Sequence, residues 1–527
     1  MNNNQPTYNQ PPMPPQGGMM PPQMPTVQGE AMLVLTRGQK RGSARQEKSI
    51  FPKWLSQYSI AAYLLALMVV TFMYSAYSLP WYYMLSGVVA VLAFFLYGSK
   101  AIKDVALNKI RSEKNVEKRL FIIAFIPRLV YMLLIYWIFQ ANYGNAFGFE
   151  NADADYYHEL GEFVAEKIKQ GNFHFYDEIP KWNGGNDDIA DMGYGIYVGF
   201  IYWLAGSSIL VVRLLKCIWS SVTVVLLYRI ARRNFGEQTG RMAAIFVALW
   251  PNFWYYCTCH LKEVEMVFLG VLFVEQADQM LRSRQFTAWK IIPVLLIAAA
   301  IFTVRTPLGL VALLALIFSV VMGSKKVVSW GKRIIVGILA VLLIGVVAGN
   351  QIQERARGLA EQVQGNYQQG NMKWRSEREH GNAFAKYAGK TVFAPLIFTL
   401  PFSTMVRPYE GQEVQQLNNG GNFCKNIISG FTIFALITLL ISGKWREHLL
   451  PLSFMLGYLV VLAVSAFAQS ERFHQPVMPF EFMFAAYGLS IAVMKPKYKR
   501  WFTYWCILMF VATIAWNWFK LKGRGMI

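Results

Sequence analysis

The chain has 527 residues, 55% of them hydrophobic and 15% charged, with a mean hydropathy of +0.30. Soluble domains carry about 25% charged residues, so too few charges remain here to cover a water-facing surface. A soluble globular enzyme, a disordered chain and a collagen-like fibre are excluded, which leaves an all-α polytopic membrane protein. The formal net charge of +21 reads as basic residues gathered in cytoplasmic loops, not as a nucleic-acid footprint.

Residues 1–25 hold eight Pro and no charge, a composition that cannot offset its ordering entropy. It also lacks the charged start and apolar stretch of a signal peptide. A basic stretch from Arg37 to Lys53 follows, and 1–58 is expected to be a disordered cytoplasmic tail. Apolar runs then predict thirteen transmembrane helices near 59–79, 81–98, 120–142, 208–230, 242–257, 263–281, 288–304, 308–323, 334–349, 427–443, 449–468, 480–494 and 501–519. Spanning takes about 17–25 residues, and the runs are continuous, unlike the alternating strands of a β-barrel. Five Cys (Cys217, Cys257, Cys259, Cys424, Cys506) fit neither a disulfide framework nor a zinc spacing.

With the N-terminus inside, the basic segments 99–119, 229–241, 282–290, 324–333 and 495–500 all fall in the cytoplasm, as the positive-inside rule asks. The short tail with Lys520, Lys522 and Arg524 violates it mildly. Letting 194–206 span would invert that pattern, so it is expected as an interfacial or re-entrant helix. The same holds for 391–406, where Pro395 and Pro401 oppose a straight span. The predicted parts are the tail 1–58, a hairpin 59–98, a core 99–349 with an acidic outer loop 143–207, a large extracytoplasmic loop 350–426, and C-terminal helices 427–527.

This topology gathers charged groups on the outer face. Loop 143–192 holds eleven of the thirty acidic residues and three Lys. Its motif Glu150-Asn151-Ala152-Asp153-Ala154-Asp155-Tyr156-Tyr157-His158 opens an amphipathic stretch, with Tyr157, Leu160, Val164 and Ile168 at helical spacing. That helix is expected to lie flat on the bilayer. Asp153 or Asp155 could equally cap it. His260, Lys262 and Glu263 share this face, as do Arg305-Thr306-Pro307 and Glu471-Arg472-Phe473-His474. A carboxylate to take a proton and cations to stabilise an anionic leaving group are what a transfer reaction needs. Arg305 reads either as a bidentate phosphate ligand or as a snorkelling helix-end cation. Arg472 and His474 read equally as interfacial anchors. Arg128, inside a span, must face other helices or a wet cavity. No Walker loop, dinucleotide fingerprint or metal-ligand spacing is present.

Arg128, Asp153-Ala154 with Tyr157-His158, Gly193-Tyr194-Gly195, Gly206-Ser207, Val212-Arg213-Leu214, Trp250-Pro251, Lys262-Glu263 and Arg305-Thr306-Pro307 occur in this order. Arg472-Phe473-His474-x-Pro follows late in the chain. The series resembles the GT-C glycosyltransferases, in the bacterial branch related to protein O-mannosyltransferases and lipid A aminoarabinose transferases. The resemblance implies a membrane transferase that uses a polyprenyl-phosphate sugar at the outer face of the cytoplasmic membrane. Its catalytic acid maps onto Asp153, with Asp155 as the fallback. The hairpin 59–98 is an addition to that pattern, and His474 replaces a second Arg or Lys.

The expected site has Asp153 accepting the acceptor's proton, with Arg305, Arg472 and His474 neutralising the phosphate. Glu150 or Asp155 orients the acceptor or holds a divalent ion. Tyr157, His158, His260, Lys262 and Glu263 are further substrate contacts, and displacement would invert the anomeric centre. Trp374, Tyr367 and Tyr387 of loop 350–426 would stack on sugar faces. The expected partners are the lipid-phosphate donor, a glycan, lipid or protein acceptor, and membrane lipids, but no nucleic acid. Two other classes fit a many-span chain: a polysaccharide polymerase acting on lipid-diphosphate units, and a lipid-linked glycan transporter. The transporter would require internal repeats.

Overall fold

A computed structural model describes residues 52–102, 113–144, 146–149, 151–175, 178–179, 189–283, 288–324, 328, 331, 366–377, 381–384, 394–407, 413–465, 467–493 and 497–527. All belong to the unit Ser49–Ile527. The tail up to Phe51, the span expected at 334–349 and much of loop 350–426 lie outside the described residues.

The regular elements of the described chain are helices. Helix α1 (Lys53–Met73) follows Pro52. Helix α2 (Trp81–Leu92) follows Pro80 and runs on through a π turn at Ala93–Tyr97 and one more turn, Gly98–Ile102. Next come α3 (Glu113–Tyr143), α4 (Asn151–Lys169) and α5 (Ile189–Ala205). Then follow α6 (Ile209–Phe235), α7 (Glu237–Leu249), α8 (Pro251–Thr258) and α9 (Glu263–Arg282). The chain continues with α10 (Ala288–Val304), α11 (Thr306–Met322), α12 (Asn366–Glu377) and α13 (Glu413–Leu417). It ends with α14 (Asn419–Ile441), α15 (Leu449–Val464), α16 (Glu471–His474), α17 (Met478–Ala492) and α18 (Lys497–Lys522).

Seven helical segments among the described residues are long and apolar enough to cross a membrane, with three shorter apolar helices besides. Of the thirteen spans expected from the sequence, that at 334–349 lies outside the described residues, and several others are helices shorter or more charged than a lipid-facing span. Helix α9, for example, buries Glu263, Glu265, Glu275 and Asp278 inside the protein. A helix enclosed by protein need not match the apolar length that lipid demands.

The expected single span 242–257 is two helices. Pro251 opens α8 and Trp250 sits in extended backbone, φ −71° and ψ 117°, as the residue before a proline prefers. The break exposes the last carbonyls of α7, and Arg128 of α3 closes them. Its guanidinium donates to Val247 O at 3.0 Å, Ala248 O at 2.9 Å, Ala124 O at 2.8 Å and Ser220 Oγ at 2.8 Å. A cation at a helix C-terminus also complements the macrodipole. Arg128 is therefore a buried structural tie.

The stripe Tyr157, Leu160 and Val164 of α4 is buried, but against α5 rather than in lipid. Gly195 and Gly199 of α5 admit it: a Cβ at Gly195 would fall 2.3 Å from Leu160, and one at Gly199 2.5 Å from Val164. The described part of 391–406 holds one helical turn, then extended chain whose Val406 bridges Ser78. It is not the helix expected there; its two prolines deny the backbone the donors a helix needs.

Helices α14 and α17 pack together, and a Cβ at Gly488 would lie 2.1 Å from the Phe431 carbonyl oxygen. Gly488→Ala should force these helices apart and cost about 1–3 kcal/mol, the usual toll of overpacking. The measurement is the thermal unfolding midpoint in detergent; an unchanged midpoint would refute the close approach.

Candidate active site

Asp153 lies in the first turn of α4, where the helix dipole favours a carboxylate. Arg472, at the start of α16, reaches it: Nη1 donates to Asp153 Oδ2 at 2.5 Å, and Nε donates to Glu263 Oε1. One guanidinium thus joins three elements far apart in sequence. Burial works against the Arg472 charge, but Glu263 and Asp153 more than offset it and raise its pKa above the ordinary value. The two carboxylates differ sharply. Asp153 is 56% exposed, whereas Glu263 is 2% exposed.

Arg305 enters through Phe473. Its guanidinium stands 4.7 Å from that ring centroid and Arg472's stands 5.9 Å away. Arg305 precedes Thr306-Pro307 at the N-terminus of α11 in extended backbone, and its buried Nε meets no hydrogen-bond partner. Asp153 and Glu263 thus meet at the Arg472 guanidinium, and Arg472 and Arg305 meet at the Phe473 ring.

A second group adjoins it. Lys262 lies 5.8 Å over the Tyr157 ring, and Tyr157 meets Tyr194 edge-on at 4.8 Å. His158 Nδ1 and Tyr202 Oη share a hydrogen bond of 2.7 Å; which of them donates depends on the histidine tautomer. His260 is fully buried among Phe147, His158, Tyr194 and Tyr202. Its two ring nitrogens have no hydrogen-bond partner. Burial, then Lys216, Arg213 and His158, push its pKa well below the ordinary histidine value, so the ring is neutral.

Other expected residues fall elsewhere. His474 is not part of this group: it turns inward, with Nε2 2.8 Å from Ala468 O and Nδ1 3.3 Å from Lys425 Nζ. Burial and then Lys425 hold its pKa well below the usual value. A histidine kept neutral cannot neutralise a phosphate. Asp155 is half-buried beside Asp153 in sequence. Glu150 and Tyr387 lie outside the described residues, as does the Tyr367 side chain, and Trp374 is exposed. Among the described residues, no three His, Cys, Asp or Glu side chains converge as metal ligands. The cation that bridges Asp153 and Glu263 is Arg472.

Sequence reasoning passed over Lys216 and gave Arg213 no chemistry. Lys216 Nζ pairs with Glu265 Oε2 at 2.7 Å and donates to Leu261 O, which fixes the α8–α9 turn. The available signal was two cations, three residues apart, inside an apolar run; intramembrane charges are functional candidates by default. Glu471, named on the outer face but given no role of its own, accepts from Asn418 Nδ2 at 2.9 Å and Asn422 Nδ2 at 3.0 Å. Burial raises its pKa to about 8, against the pull of those amides, Asn252 and Lys425.

The fold and this group define a multi-pass, all-helical membrane protein with an exposed carboxylate set against arginines. A family model described as dolichyl-phosphate-mannose-protein mannosyltransferase matches residues 195–349. The match takes in α5 to α11, with His260, Lys262, Glu263 and Arg305, but neither Asp153 nor Arg472. No curated protein and no solved structure matches the chain.

Proposed function

We propose that the chain is an integral membrane glycosyltransferase of the GT-C type. It moves a sugar from a polyprenyl-phosphate donor to an acceptor hydroxyl of a glycan, lipid or protein, at the outer face of the cytoplasmic membrane. The observation that carries this reading is the exposed Asp153 carboxylate held by Arg472 beside Arg305, whose buried Nε has no hydrogen-bond partner. The mannosyltransferase-type match over 195–349 supports it independently.

In this mechanism the acceptor oxygen attacks the anomeric carbon while Asp153 takes its proton. The bond from the anomeric carbon to the phosphate oxygen breaks, and the carrier phosphate leaves with that electron pair. Direct displacement inverts the centre. Arg305 stabilises the charge that develops on the phosphate. Arg472 is a positioning residue: its hydrogen bond aims the Asp153 carboxylate, and Glu263 keeps the guanidinium paired once Asp153 carries a proton.

The test is turnover of a purified polyprenyl-phosphate sugar by the full chain in nanodiscs, read as release of polyprenyl phosphate. Release is expected with this donor and not with a nucleotide sugar; turnover of lipid-diphosphate units alone would favour a polymerase. Arg305→Gln should lower kcat/KM about 10–100-fold, the worth of a hydrogen bond to a charged group. Unchanged kinetics would remove Arg305 from the site.

A further inference from the structure

Arg213 is a fully buried cation without a carboxylate partner among the described residues. Its Nη2 donates to Ala146 O and its guanidinium stands 5.6 Å over the Tyr136 ring, but Nε and Nη1 have no partner. Beside it, His260 leaves two buried nitrogens unpaired and Tyr194 leaves its hydroxyl unpaired. Lys216, 4.8 Å over the Tyr194 ring, adds positive charge, although Glu265 balances it. A buried charge without a partner costs several kcal/mol, and unpaired buried donors cost more. Such an expense calls for an explanation, and the clustering of these groups around one uncompensated cation points to a bound anion.

We propose that Arg213, His260 and Tyr194 form a seat for the phosphate of the lipid carrier, at the junction of α5, α6 and the α8–α9 turn. The inference rests on the transferase reading and deepens it. The ligand must be an anion, because Arg213 is the charge left over. It must reach a residue in the second turn of a membrane-spanning helix, next to α3, whose Leu133, Leu134 and Trp137 face outward from the protein. A headgroup tethered to a lipid tail arrives there along the bilayer. The donor is a phosphodiester with one negative charge, and the departed carrier is a monoester that can carry two. Arg305 meets the donor, and the deeper seat receives the phosphate when its charge rises.

The experiment follows thermal unfolding of the full chain in nanodiscs with polyprenyl phosphate, polyprenol or inorganic phosphate. The wild type should be stabilised by polyprenyl phosphate and not by polyprenol. Arg213→Met should unfold at a higher temperature than wild type without ligand, and bind polyprenyl phosphate about 10–100-fold more weakly. Arg213→Lys should retain part of the response. An undiminished response in Arg213→Met, or a lower ligand-free midpoint with that response intact, would overturn the seat while leaving donor turnover untouched. An equal response to inorganic phosphate at matched concentration would overturn the lipid assignment. A wild type that ignores polyprenyl phosphate and turns over no lipid-phosphate sugar would remove the transferase reading as well.

Discussion

Asp153→Asn is expected to abolish sugar transfer and leave the protein folded in its membrane. Asn has nearly the shape of Asp, and its side-chain oxygen can still accept from Arg472 Nη1, so the tie between α4 and α16 survives. What disappears is the capacity to take a proton. General base catalysis contributes roughly 10²–10⁴-fold, so a loss of that order is the expectation, with the unfolding midpoint within a degree or two of wild type. Asp155→Asn should retain most activity, since Asp155 makes no contact with Arg472. The measurement is single-turnover transfer with a defined lipid-phosphate sugar. Wild-type rates in both variants would refute the assignment.

Arg472→Met is the second large effect, and it acts on stability as well as rate. Glu263 is buried, with its Oε2 already lacking a partner. Removing the guanidinium strands that carboxylate, a change that costs about 3–5 kcal/mol. The double variant Arg472→Met with Glu263→Met should regain most of the stability, because it removes both charges, and none of the activity, because Asp153 loses its positioning partner. Thermal unfolding separates the two results. If the single variant unfolds with wild type, Glu263 does not depend on Arg472.

Much of the fold was legible because lipid imposes a coarse rule. Continuous apolar runs became helices, and α6, α10 and α11 lie within a few residues of their expected limits. The break at Trp250 was not foreseen, although Pro251 announced it, because hydropathy averages over the proline. The site was legible in part for a related reason. Asp153, Arg305 and Arg472 stand at helix ends, where charged residues are visible against apolar neighbours. That Arg472 joins Asp153 to Glu263 could not be read from sequence, since the three belong to helices separated by hundreds of residues. Arg213 and Lys216 stayed hidden because a long apolar span absorbs two charges without losing its hydropathy. His474 misled because adjacency in sequence says little at a helical turn: Arg472 points to Asp153, and His474, two residues on, points the opposite way to Lys425.

The tie made by Arg128 bears on the order in which the chain is built. Helix α3 emerges from the ribosome about ninety residues before Ser220 and more than a hundred before Val247 and Ala248. Until those acceptors exist, Arg128 has only the Ala124 carbonyl of its own helix among these partners, and a charge near mid-membrane costs ~3 kcal/mol. Integration of α3 is therefore expected to gain from the later arrival of α6 and α7, which bring the remaining acceptors.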